Sequence, residues 1–172
     1  MGEKNDLRTF FINALDNFES KKGMVFDHIH YTLERYVAFQ LKGEEDILWM
    51  NETCYPKLLS LFDESGSIKV RNSILMIFSE IYKIDELDAE QRGLKVLLRK
   101  KFLDPEEEQS IANHCLDILL SRADDKLKEM LRDDIRTMSK SEDERLRERG
   151  LKLLEKIIGE VSGNDNTRIF SA

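Results

Sequence analysis

Val70-Arg71-Asn72-Ser73-Ile74-Leu75-Met76-Ile77-Phe78 decides the fold class. Its apolar residues fall at the first, sixth, eighth and ninth places, among others, so they recur by threes and fours and not by twos. That period is the signature of a helix with one buried face. Outward from this stretch the same rhythm continues, at Phe11, Leu15 and Phe18 and again at Leu146, Leu153 and Ile157. Strictly alternating runs of β-branched residues are absent. With eight Gly and two Pro in the chain, there is too little turn chemistry for a sheet protein. The reading is all-α.

Punctuation divides the chain into eight helices. The first covers 5–20 and ends at Gly23, and the second covers 24–41 and ends at Gly43. A third begins near Glu44, meets Pro56, where it kinks or restarts, and runs to Ser65-Gly66-Ser67. The fourth and fifth span 68–83 and 88–102. Asp104-Pro105, followed by three glutamates, reads as the cap and first turn of the sixth, where the helix dipole favours anions. The seventh is 124–138. Ser141 and Glu144 have the spacing of a capping box that opens the eighth, which ends near Val161. Residues 1–161 then form a single helical-repeat domain, and 162–172 a flexible polar C-terminal tail.

Short joints leave consecutive helices folding back on each other, so the eight are expected as four antiparallel hairpins. The opening stretch also has counterparts. Ile111-Ala112-Asn113-His114-Cys115-Leu116-Asp117-Ile118-Leu119 and Leu146-Arg147-Glu148-Arg149-Gly150-Leu151-Lys152-Leu153-Leu154 keep apolar residues at the same four places. Counting back gives Ile29 as the start of a first copy, and the spacings are 41, 41 and 35 residues. A period near forty is typical of stacked helical hairpins. On these residues 24–161 resembles the HEAT-repeat and HEAT-like family. Val70-Arg71 and Leu146-Arg147, with Gly150 as the small residue, match that family's second helix, and Pro56 resembles its frequent kink. Ala112 and Ile74 depart from the pattern. The resemblance implies a short right-handed α-solenoid with its second helices lining the concave side. Ile74, Phe78, Ile118, Leu119, Leu153 and Ile157 are its expected core.

Composition narrows the function classes. Over 172 residues, 41 % are hydrophobic and 35 % charged, which suits a folded domain and not a disordered chain. No apolar run is long enough to span a membrane, and the polar start, Met1 to Asp6, is no secretory signal. Two cysteines, Cys54 and Cys115, fit a reducing cytoplasm. A net charge of −7 disfavours nucleic acid, whose phosphates need a basic footprint.

Catalytic chemistry finds no support. His28 and His30 lie on different faces of a helix, as do His114 and Cys115, so no metal site is expected, nor any cofactor. Cys115 belongs to an apolar stripe, where a thiol is buried and inert. Cys54, beside Pro56, reads as a thiol whose acidity an exposed helix start would raise. Acidic pairs such as Asp133-Asp134 read as solvated faces.

Charge sidedness says more. Arg145, Arg149, Lys152 and Lys156 follow a 4-3-4 spacing and form one column, with Glu148–Lys152 and Asp143–Arg147 as candidate pairs along the helix. Relative to Val70 the column occupies offsets −1, +3, +6 and +10. The same offsets give Lys69, Ser73, Met76 and Glu80, then Ser110, His114, Asp117 and Ser121, and in the first copy His28, Thr32, Arg35 and Phe39. These rows predict one groove, partly aromatic at one end and basic at the other. It suits a non-catalytic scaffold or adaptor that binds another protein through a helix or an acidic peptide. The alternative is a HEAT-like nucleic-acid binder using the last helix and the cluster Arg92, Lys95, Arg99, Lys100 and Lys101 on the fifth.

Overall fold

The computed structural model describes residues 2–17, 24–41, 43–84 and 88–162, and within these residues it is all-helical, with no strand. Eight helices follow one another: α1 (Gly2–Asp16), α2 (Met24–Arg35, continued by a π-turn over Tyr36–Gln40) and α3 (Glu44–Trp49, a π-turn over Met50–Cys54, then Tyr55–Glu64). After them come α4 (Ile68–Tyr82), α5 (Asp88–Phe102), α6 (Gln109–Ser121), α7 (Asp125–Met138) and α8 (Glu144–Ser162). The chain divides into two compact units, Met1–Leu94 and Lys95–Ala172. The expected tail lies, beyond Ser162, outside the described residues, as does the side chain of Ile157.

In the first unit α1 packs on α3, α2 on α4, and α3 on α4. The reason is the apolar stripe of each helix: Phe11, Leu33, Tyr36, Met50, Leu58, Phe62, Ile74 and Phe78 are all buried. Aromatic rings knit the layers, with Phe62–Phe78 centroids 5.8 Å apart and Tyr55–Phe78 centroids 5.7 Å apart. Arg71, the arginine of the family-like pattern, donates from Nε to the Phe62 carbonyl at 3.0 Å and stacks over the Phe62 ring. It thereby ties the start of α4 to the end of α3 and satisfies a carbonyl that the helix end leaves open.

At Pro56 the α-geometry of α3 starts again, with the proline in the first positions of Tyr55–Glu64. The π-turn just before it closes with the Tyr55 amide donating to the Met50 carbonyl, and the helix passes through. Gly43 precedes α3 with φ +86°, a conformation that favours glycine, and the first turn carries Glu44, Glu45 and Asp46. Asp46 is buried, where it accepts from Arg8 and, at 3.0 Å, from the Tyr36 hydroxyl. Burial pushes the Tyr36 phenol above its ordinary value. A buried carboxylate without such donors would be strongly destabilising.

In the second unit α7 packs closely along α8. Gly150 makes that approach feasible: a Cβ there would overlap the backbone nitrogen of Ser139 and lie 2.8 Å from the Met138 carbonyl carbon. Ile111, Cys115, Ile118, Leu119, Leu131 and Ile135 fill the interior. Of the expected core residues, Ile74, Phe78, Ile118 and Leu119 are buried, whereas Leu153 is only half-buried.

Two helix starts differ from the sequence reading. Asp104-Pro105 does not open α6, which begins at Gln109. Asp104 instead accepts from the Glu106 amide at 2.9 Å and closes a turn. The cap of α8 is Asp143, accepting from the Leu146 amide at 3.0 Å, while Ser141 accepts from the Asp143 amide. Arg147 donates to the Ser141 carbonyl, so its guanidinium is directed to the turn and not along the helix to Asp143.

Candidate functional site

In the first unit the candidate rows lie on α2 and α4. His28, Arg35 and Phe39 are exposed, and Thr32 is half-buried. Phe39 presents 66 % of its surface. On α4, Lys69 and Met76 are exposed and Glu80 is half-buried, but Ser73 is buried. Ser73 lies between Val70 and Ile77 on the inward stripe, so it is withdrawn from the candidate surface.

Tyr31, absent from the rows, completes the α2 surface. The residue is 53 % exposed. The Arg35 guanidinium carbon lies 5.6 Å from the Tyr31 ring centroid and 5.7 Å from that of Phe39, and Arg35 donates to the Tyr31 hydroxyl at 3.0 Å. Residues 31, 35 and 39 are one helical turn apart, so the cation sits between two rings on one face. The i, i+4, i+8 sequence of ring, cation and ring was the signal available for finding it. Beside it is a hollow of about 330 Å³ walled by Leu7, His28, Tyr31, Thr32, Arg35, Tyr36 and Gln40. A larger hollow of about 540 Å³, mostly apolar, lies against Leu41, Gly43, Ile47, Leu48 and Ile84 in the same unit.

In the second unit the rows lie on α6 and α8. Ser110, Asp117 and Ser121 are exposed, and His114 is half-buried. Burial lowers the His114 imidazole below its ordinary value, and the Asp117 carboxylate partly offsets this. Arg145, Lys152 and Lys156 are exposed. Arg145 pairs with Glu106 at 3.1 Å.

Arg149 corrects the basic column. It is 2 % exposed, its guanidinium donating to the carbonyls of Phe102, Asp104 and Glu107 and its Nε to the Gln109 side chain. Burial lowers its basicity, and Asp104 and Glu107 oppose that effect. A residue enclosed by this loop is a structural clamp and cannot meet a partner. The cluster on α5 is also engaged in part. Arg99 makes two 2.8 Å hydrogen bonds to Asp134, and Lys101 lies 3.8 Å from Glu107, whereas Lys95 and Lys100 are exposed. The Arg92 side chain is outside the described residues.

Both cysteines are buried and unbridged. The sequence places Cys54 at an exposed helix start, but the chain continues through the π-turn and encloses it. Burial pushes its thiol up to about 12, the opposite of activation. Among the described residues no three His, Cys, Asp or Glu side chains gather as a metal site, and no helix is long and apolar enough to cross a membrane. Comparison with protein families, curated proteins and solved structures finds no match to this chain.

Proposed function

We propose that this chain is a non-catalytic, cytoplasmic protein-interaction module, a HEAT-like stack of helical hairpins that holds a partner along its second helices. The observation that carries the reading is the exposure of Tyr31, Phe39 and Met76 on α2 and α4, two second helices that pack directly on each other. Aromatic, methionine and arginine side chains are what protein interfaces concentrate. The pairing of α1 with α3 and of α2 with α4, first helices with first and second with second, supports the stacked arrangement. On α8 the surface offers Lys152 and Lys156 to an acidic segment, with Arg149 removed from it.

A photocrosslinking residue in place of Phe39 or Met76 tests the reading. A discrete protein adduct should form from both positions and not from Val96, a still more exposed apolar position on α5. Equal labelling from all three would sink the idea. Nucleic-acid binding is the weaker alternative: Arg145 and Arg99 are paired with acids and Arg149 is enclosed, which thins the basic footprint that phosphates require.

A further inference from the structure

We infer that the Tyr31–Arg35–Phe39 ladder is the element that reads a partner, and that it takes an Asp or Glu carboxylate flanked by apolar side chains in a protein segment. The inference rests on the protein-interaction reading and names the chemistry of the partner at that surface.

Charge comes first. Other arginines of known placement are held within the fold: Arg8 by Asp46, Arg71 by the Phe62 carbonyl, Arg99 by Asp134, Arg145 by Glu106 and Arg149 by three carbonyls. Among the described residues Arg35 has no carboxylate partner, and the hydrogen bond it makes there goes to a neutral phenol on its own helix. None of the described residues in the wall of the hollow beside it is a carboxylate. In a chain with 34 acidic and 27 basic residues, a guanidinium without a carboxylate partner among the described residues is available to an outside anion.

Order comes second. The two rings hold the guanidinium plane before a partner arrives, so little side-chain freedom remains to be lost on binding. A fixed guanidinium fork matches the two oxygens of a carboxylate. Tyr31 and Phe39 offer exposed ring surface on either side, suited to the apolar neighbours of that carboxylate. Phosphate-bearing peptides are commonly met by clusters of arginines, and a single guanidinium here favours the singly charged carboxylate. The chain's net charge of −7 weighs against a polynucleotide.

The probes are two pools of short synthetic peptides with randomised apolar-rich flanks, one fixed at its centre as Asp or Glu and the other as Asn or Gln. A randomised single-stranded oligonucleotide pool serves as a third arm. The acidic pool should be retained by the intact chain about tenfold better than its amide counterpart. That preference should vanish in Arg35→Gln and weaken in Phe39→Ala and Arg35→Lys, while Lys95→Gln retains it. Circular dichroism confirms that each exposed-site variant is folded. Equal retention of the acidic and amide pools, or an acidic preference that survives Arg35→Gln, overturns this assignment and leaves the interaction module standing. Retention of neither pool, together with no adduct from positions 39 and 76, overturns both. Oligonucleotide retention that is lost in Arg35→Gln also overturns it and moves the surface to nucleic acid.

Discussion

The Phe102 carbonyl, at the end of α5, accepts a 2.7 Å hydrogen bond from the guanidinium of Arg149, in the middle of α8. The same side chain holds the Asp104 and Glu107 carbonyls, so the turn from 103 to 108 is built around one cation. Arg149→Lys keeps the charge but loses the fork. Loss of two charge-assisted bonds should lower the stability of the second unit by about 3 kcal/mol, read from urea unfolding. A loss within error would mean that water replaces the clamp at no cost.

Gly150 and Gly93 should respond in opposite directions to the same substitution. Gly150→Ala drives a methyl group into the α7 backbone at Ser139, and overpacking of this kind costs about 1–3 kcal/mol. Gly93→Ala meets only the Tyr55 hydroxyl at an ordinary 3.9 Å, so helix propensity prevails and it should gain about 0.5–1 kcal/mol. Thermal unfolding of the two variants checks the pair.

Core truncation should separate Phe78 from Leu153. Phe78 is wholly buried between Tyr55 and Phe62, and Phe78→Ala should cost about 3–5 kcal/mol. Half-buried Leu153 has less to lose, and Leu153→Ala should cost clearly less in the same urea titration.

Acid should weaken the second unit through His114. Its folded-state value lies below the ordinary 6.5 because burial disfavours the charged ring, so the unfolded chain takes up the proton first. The contribution is fully present above about 6.5 and is lost as the pH falls from there through the lowered folded value. His114→Gln should flatten that part of the stability-against-pH curve. A curve unchanged by the substitution would contradict this.

Helix boundaries were legible where the local chain decides them: Ser65-Gly66-Ser67 does separate α3 from α4, and the helix expected at 124–138 runs from Asp125 to Met138. The inward stripes at Ile74, Phe78, Ile118 and Leu119 follow from period alone. What escaped was long-range. Asp104-Pro105 has every local mark of a helix start, but Arg149, some forty-five positions away, holds the Asp104 carbonyl, with those of Phe102 and Glu107, in a turn. Hydrophobic periodicity counts an arginine as solvent-facing, so it could not see a buried one whose partners are backbone oxygens. On α2 the repeat register took in Arg35 and Phe39 but passed over Tyr31, because it followed rows across helices and not the rungs along one.

Buried side chains on α3 recur at Met50, Cys54, Leu58 and Phe62, and around α2 at Ile29, Leu33, Val37 and Leu41, in steps of four. A 3.6-residue spiral overshoots by about 40° at each such step. The wider turns at Met50–Cys54 and Tyr36–Gln40 work like a leap day, taking back the accumulated error so that the calendar of inward residues stays in season. Excising one residue from the turn at Met50–Cys54 would leave an ordinary α-turn without that correction, so Met50, Cys54, Leu58 and Phe62 would no longer line up on one inward stripe. Joints between helices can lengthen or shorten with little consequence, but here the chain length itself is fixed to the single residue.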